Sequence, residues 1–206
     1  MSALLEVADY LRQGGWIMAP LVAVSVVMWT LIIDRLRAFR ALTAGDLDGR
    51  AAVAVVESGD ADALADRDGL RVRLVREYLA ERTGRPQLDR AILGECALRQ
   101  RRRLERGLAP ITVLAAVAPL LGLLGTVLGM VETFDVISVF GTGNARALAG
   151  GISVALITTQ TGLLVAIPGM IMANRLARHA EALRTGLDEA TAALARRVGA
   201  GKAVAR

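Results

Sequence analysis

Three long stretches of the chain contain no charged residue, and they alternate with stretches rich in arginine and carboxylates. The uncharged stretches are residues 14–33, 107–131 and 147–174. A helix needs about 20 apolar residues to cross a hydrocarbon core of about 30 Å. Helices of soluble proteins average about 11 to 12 residues and usually alternate polar with apolar faces. The pattern therefore predicts three transmembrane helices rather than buried helices of a soluble core.

The first uncharged stretch lies near the N-terminus, where a secretory signal would also lie. A signal has a basic segment before a shorter apolar one, whereas Glu6 and Asp9 precede this stretch and outweigh Arg12. We expect residues 14–33 to be a retained span. Before it, Leu4, Leu5, Ala8 and Leu11 share one helical face, so residues 1–13 are predicted to form an amphipathic helix on the membrane surface.

The charged regions are predicted to be helical and solvated. In residues 34–106, apolar positions recur at helical spacing, namely Leu70, Leu74, Tyr78 and Leu79. No proline lies between Pro86 and Pro110, so we expect a helix starting near Gln87 to run straight into the second span. The third span is expected to continue through residues 175–206 as far as about Arg197. The predicted fold is an all-α integral membrane protein with three transmembrane helices and long cytoplasmic helical extensions.

Arginines flank the spans unevenly. They cluster after the first span, before the second and after the third: Arg35, Arg37, Arg40, Arg99, Arg101, Arg102, Arg103, Arg106, Arg175, Arg178 and Arg184. The positive-inside rule then places residues 34–106 and 175–206 in the cytoplasm. Residues 1–13 and a short loop, 132–146, lie outside. Membrane topology explains the net charge of +5 more simply than nucleic-acid binding does.

Candidate reactive residues are scarce. Cys96 and His179 are the single cysteine and the single histidine. An internal disulfide and a cysteine-rich metal site are therefore excluded, and no cofactor is indicated. A membrane enzyme is disfavoured because no catalytic constellation is visible.

Small residues form stripes on the second and third spans. Gly125 and Gly129 make a Gly-x-x-x-Gly pair, and small residues let helix backbones approach closely in lipid. The candidate packing or lumen positions are Gly122, Gly125, Gly129, Ala155, Gly162 and Ala166. On a helical wheel, Thr126 is the centre of one stripe and Thr159 lies on the other.

The two threonines are candidates for lining a narrow, wet lumen. The alternative is that each hydroxyl bonds its own helix backbone, which is common in membrane helices. The polar run 158–161 points around most of its helix, so we expect some of it, Gln160 especially, to bond neighbouring helices or subunits. No ionisable residue lies within the three stretches, although proton transporters usually need one. If the protein conducts protons, another chain must supply that group.

Two motifs carry a resemblance to a known family. Residues 118–130 read APLLGLLGTVLGM, followed by Glu132-Thr-Phe134, and residues 151–169 read GISVALITTQTGLLVAIPG. Together they resemble the paired signature of the ExbB/TolQ/MotA proton-channel family, most closely ExbB-like biopolymer transport proteins. The similarity runs from the arginine cluster before the second span to Asn174. MotA-like stators have four spans, so the three predicted here disfavour a flagellar stator.

The resemblance implies a function and partners. It implies a bacterial inner-membrane subunit that forms a homopentamer around an ExbD-like partner, whose single span carries a protonatable aspartate. With a TonB-like periplasmic transducer, the complex would use the proton motive force to energise transport across the outer membrane. The family's lumen threonines map onto Thr126 and Thr159. Alternatives are a TolQ-like subunit of an envelope-maintenance complex and a non-conducting membrane scaffold.

One position departs from the family pattern. Many ExbB and TolQ proteins carry glutamate where this chain has Val154. The resemblance therefore implies that any role of that carboxylate is absent here, and that conduction depends more strongly on the partner's aspartate.

Overall fold

The computed structural model describes residues 9–59, 64–65, 67–141 and 145–200, and these residues form helices without any strand. The helices are α1 (Met18–Ala44), α2 (Gly49–Ser58), α3 (Leu70–Glu81), α4 (Pro86–Glu105), α5 (Leu108–Phe140) and α6 (Ala145–Ala200). The all-α prediction is confirmed. Residues 9–13 are also helical, and the rest of the predicted surface helix, residues 1–8, lies outside the described residues.

Three helical segments of the described chain are long and apolar enough to cross a membrane. They are Met18–Ala44, Pro86–Phe140 and Leu148–Val198. The chain is a multi-pass membrane protein, as its uncharged stretches predict. The described residues divide into two compact units, one holding the chain up to Ile33 with Leu108–Asn174, the other holding Asp34–Gly107 with the residues from Arg175 onward.

In the first unit, α1 packs against both α5 and α6. Met18 and Leu21 of α1, with Ile17 just before it, are buried with Ala118 and Ala166, and Leu121, Leu128, Ile157 and Val165 pack around them. Further along α1, a Cβ added at Gly169 would collide with the Met28 side chain and lie 3.3 Å from the Cβ of Ala115. All three helices therefore meet at small residues.

The predicted straight helix from Gln87 into the second span is wrong. α4 ends at Glu105 and α5 begins at Leu108, and Gly107 between them has φ 82°. This left-handed conformation ends a helix, and glycine adopts it without a steric penalty. Continuation of the third span to about Arg197 is confirmed, since α6 runs to Ala200.

The predicted loop 132–146 is wrong over its first part. Helix α5 continues past Glu132 and Asp135 to Phe140, and Gly141 follows with φ 68°. Carboxylates at the end of an apolar stretch do not interrupt backbone hydrogen bonding, whereas a left-handed glycine does. Residues 142–144 lie outside the described residues.

The second unit contains α2, α3 and α4 with the C-terminal parts of α1 and α6. Leu70, Leu74 and Tyr78 are buried and Leu79 is half-buried, as the helical spacing predicts. Arginines of α4 form ion pairs with two neighbouring helices: Arg99 with Glu81 at 2.7 Å, Arg103 with Glu77 at 2.8 Å, and Arg101 with Asp188, whose Oδ1 accepts from Nε at 2.8 Å. Such exposed pairs contribute little each, so the buried leucines supply most of the cohesion.

Candidate functional site

The buried face of α5 follows a regular spacing along the whole span. Its members are Ile111, Ala115, Ala118, Gly122, Gly125, Gly129 and Thr133. Intervals of mostly four and three residues keep one stripe in contact with a partner helix over many turns. Most members are small, so the partner backbone comes close.

That partner is α6, which runs antiparallel to α5. A Cβ added at Gly122 would lie 3.0 Å from the Thr158 carbonyl oxygen and 3.3 Å from the Cα of Gly162. One added at Gly129 would lie 2.7 Å from the Gly151 carbonyl oxygen and 2.8 Å from the Ala155 nitrogen. At both positions the nearest atoms are backbone, so any larger residue would push the helices apart.

The six predicted packing or lumen residues all belong to this buried part of the first unit. Gly122, Gly125, Gly129 and Gly162 are buried, Ala155 is 5% exposed and Ala166 is fully buried. These residues were predicted to serve either helix packing or a lumen, and their burial within one chain supports packing. It leaves none of them on an open surface of that chain.

We call the line of close contact between α5 and α6 along Gly122, Gly125 and Gly129 the seam. Thr126 and Thr159 lie at its edge and are half-buried. The Thr126 hydroxyl donates to the Leu123 carbonyl at 2.7 Å. The Thr159 hydroxyl donates to the Ala155 carbonyl at 3.0 Å or, across the seam, to the Gly122 carbonyl at 3.4 Å. Both hydroxyls therefore donate a hydrogen bond to a backbone carbonyl of their own helix, as the alternative interpretation states. A hydroxyl that donates its proton in this way still has lone pairs with which to accept one from water.

Both threonines lie on the same flank of the seam, away from α1. At about 100° per residue, Thr126 is about 160° around α5 from Leu128, and Thr159 is about 160° around α6 from Ile157. Leu128 and Ile157 are the residues that pack toward α1. The Thr159–Gly122 contact also puts the two threonines within about one helical turn of each other along the seam.

The rest of this flank is apolar and exposed in the single chain. Leu123, Met130, Ile152, Leu156 and Leu163 are between 41% and 66% exposed. We define the threonine flank as Thr126, Thr159 and these five residues. It contains no ionisable side chain. It offers two hydroxyls in an apolar setting and no titratable group of its own.

The other polar residues of the third span differ in their surroundings. Thr158 is fully buried and donates to the carbonyls of Val154 and Ala155 at 2.9 and 3.0 Å, and its side chain fills the space opposite Gly125. Thr161 donates to the Ile157 carbonyl at 2.7 Å and lies 3.4 Å from the Tyr10 hydroxyl. These two residues thus face neighbouring helices of the same chain.

Sequence reasoning did not find the contact between Thr158 and Gly125. The sequence carries no signal for this contact, because a helical wheel gives the direction of Gly125 but not the residue of α6 that lies opposite it. Gln160 is exposed, and its predicted bond to a neighbouring subunit stays a prediction.

Val154, at the position of the family glutamate, faces a different surface from the threonine flank. It is half-buried, and its Cγ1 lies 3.6 Å from the position of a Cβ on Gly15, just before α1. A valine fits this apolar contact, whereas a carboxylate there would lose hydration. The residue present therefore serves packing between α1 and α6.

Among the described residues, no group of three or more His, Cys, Asp or Glu side chains is placed to hold a metal ion. Glu132 and Asp135, the carboxylates nearest the C-terminal end of the second span, are exposed.

Comparison with known proteins gives a family model and several relatives. A family model described as the MotA/TolQ/ExbB proton channel family matches residues 66–189, more than half of the chain. The biopolymer transport protein exbB1 of Vibrio cholerae is 40% identical over 90 residues, which cover 43% of this chain and 40% of that protein. Biopolymer transport protein ExbB of Aquifex aeolicus is 43% identical over 77 residues, 37% of this chain and 52% of the relative.

A third relative, putative biopolymer transport protein ExbB-like 3 of Synechocystis, is 50% identical over 60 residues, covering 28% of this chain and 29% of its own length. The matched stretch thus spans between 29% and 52% of the length of these three relatives.

Proposed function

The chain belongs to the MotA/TolQ/ExbB proton channel family, and from that premise we propose that it is an ExbB-like channel subunit of a proton-driven motor. The observation that carries the proposal is the threonine flank. Thr126 and Thr159 lie within about one helical turn of each other, on the flank of the α5–α6 pair that faces away from α1.

The chemistry of this flank favours a relay rather than a binding site for a fixed proton. A hydroxyl that already donates its proton to a carbonyl can still accept a hydrogen bond from water and hold that water in place. In a narrow apolar passage such ordered water brings a proton to a carboxylate. The flank has no carboxylate of its own, so the partner's aspartate is the group that titrates.

The proposed partner is an ExbD-like protein with one span, enclosed by a homopentamer of this chain. The exposed apolar residues around the two threonines provide the surface that such a helix and the neighbouring subunits cover. A TonB-like transducer would pass the resulting movement to transport across the outer membrane.

The proposed location is the bacterial inner membrane, with the N-terminus in the periplasm and the C-terminus in the cytoplasm. The arginine-rich residues 34–106 and those from 175 onward support this orientation, because positive flanks are retained on the cytoplasmic side. A TolQ-like role in envelope maintenance would use the same channel chemistry with a different periplasmic output.

Proton flux into liposomes separates the channel from a non-conducting scaffold. The chain is co-purified with an ExbD-like single-span protein and reconstituted with a pH-sensitive dye inside the vesicles. An imposed potential should drive acidification by the complex. Replacing the partner's span aspartate with asparagine should abolish it at equal protein content. Flux that persists with the asparagine variant, or no flux from the intact complex, would contradict the proposed channel.

A further inference from the structure

In the second unit, six exposed arginines next to the spans make no ion pair with any carboxylate of the described residues. They are Arg37, Arg40, Arg102, Arg106, Arg175 and Arg178. Their carboxylate neighbours are already engaged, since Glu105 and Glu181 both lie 3.7 Å from Arg184. The second unit therefore carries uncompensated positive charge where the chain enters and leaves the spans.

Toward the end of helix α4, the arginines that form ion pairs are distinct from those that form none. Arg99 and Arg103 pair with α3, and Arg101 pairs with Asp188 of α6. Arg102 and Arg106, four residues apart, share a different and exposed face. The last turns of α4 thus use three arginines to bind neighbouring helices, whereas Arg102 and the following Arg106 pair with no carboxylate of the described residues.

Two contacts within the second unit join the three chain segments that carry these arginines. Arg35 of α1 packs on the turn between α4 and α5, its Nε 3.2 Å from the position of a Cβ on Gly107, which follows Arg106 in sequence. Phe39 of α1, next to Arg40, stacks on His179 of α6, next to Arg178, with ring centroids 5.5 Å apart.

We propose that these six arginines form a binding surface for the phosphate headgroups of anionic phospholipids. The spans stop within a few residues of these arginines: Ile33 precedes Arg37, Leu108 follows Arg106, and Asn174 precedes Arg175. That is the depth at which headgroup phosphates lie. Guanidinium groups stay positively charged at neutral pH, and several of them favour a net negative headgroup over a zwitterionic one. The surface requires the three spans only and is independent of proton conduction.

The test measures lipid binding to delipidated, detergent-purified protein by native mass spectrometry. Phosphatidylglycerol and phosphatidylcholine with the same acyl chains are compared, so that the headgroup alone differs. The wild-type chain should prefer phosphatidylglycerol, and the preference should shrink in high salt because exposed charges are screened. Each membrane-proximal arginine should account for about fivefold in affinity, so the triple variant R37Q/R106Q/R175Q should lose about a hundredfold.

The matched control is the triple variant R50Q/R85Q/R90Q, which removes the same charge from exposed residues distant in sequence from the spans. It should keep the wild-type preference. A charge-conserving variant, R37K/R106K/R175K, should also keep most of it, and it decides the matter if the glutamine variant does not fold. Glycerol 3-phosphate at the same concentration should not compete, because it lacks the acyl chains that anchor a lipid.

Three results would overturn the proposal. They are equal binding of the two lipids by the wild-type chain, an equal loss of preference in the two glutamine variants, and loss of preference in a folded lysine variant. Competition by glycerol 3-phosphate would show a site for soluble phosphate instead of a lipid surface.

Discussion

At the scale of single residues, periodicity groups the positions of the two motifs into stripes, but it cannot assign the members of a stripe to different surfaces. The same helical stripe contains Gly122 and Thr126, about 40° apart. The structure buries the glycine between α5 and α6 and leaves the threonine half-exposed at the edge. A helical wheel gives the direction of a side chain only relative to the axis of its own helix. Which neighbouring helix covers that direction depends on contacts that are distant in sequence.

The glycine seam leads to a stability prediction for Gly129→Ala. The added Cβ would meet backbone atoms of Gly151 and Ala155 at 2.7 and 2.8 Å, and backbone cannot move aside as a flexible side chain does. We expect a loss of about 1–3 kcal/mol, typical of overpacking. The matched control is Gly150→Ala, where nothing lies within 4 Å of the added atom.

Thermal unfolding in detergent, followed by intrinsic fluorescence, checks this prediction. Gly129→Ala should lower the midpoint and Gly150→Ala should leave it unchanged or raise it slightly, because alanine favours a helix over glycine. Equal midpoints for the two variants would show that the α5–α6 seam is looser than described.

Cys96 gives a prediction about chemical reactivity. The side chain is fully buried, and burial, followed by the nearby Glu81 carboxylate, raises the pKa of its thiol. Since the thiolate is the reactive form, N-ethylmaleimide should label the native protein slowly at neutral pH. The unfolded thiol ionises first as the pH rises, so folding stability should fall above the ordinary cysteine pKa.

Mass spectrometry of the intact protein measures this labelling with and without denaturant. Leu98→Cys in a Cys96→Ala background is the control, because residue 98 on the same helix is 45% exposed. The control should react within the mixing time of the native assay. Rapid native labelling of Cys96 would mean that the second unit opens readily.

At the scale of elements, the sequence predicted the three spans and the long third helix but misplaced two helix ends. Both errors involve a glycine of positive φ, Gly107 before α5 and Gly141 after it. Charge marks where the hydrocarbon environment ends, whereas backbone conformation marks where a helix ends. Glu132 lies past the first boundary but before the second, so hydropathy alone predicted a loop there.

At the scale of the whole molecule, the paired motifs identified the family, and the family model confirms it over residues 66–189. Packing within one chain explains the small residues of both motifs and accounts for Val154, which contacts the start of α1. It leaves the threonine flank exposed and without an ionisable group. In an assembly with a titratable partner, other helices would cover this flank and the partner would supply the ionisable group. No sequence pattern within one chain specifies that assembly.

Proton flux through the reconstituted complex of the Thr126→Val/Thr159→Val double variant tests the account most directly. Valine keeps the shape of threonine and removes the hydroxyl, so assembly should persist while flux falls about tenfold for each lost hydrogen-bonding group. Thr158→Val is the matched control, because that hydroxyl is buried in the seam and bonded to its own helix. The account predicts strong loss in the double variant and near-normal flux in the control. Normal flux in the double variant at equal protein content would contradict it.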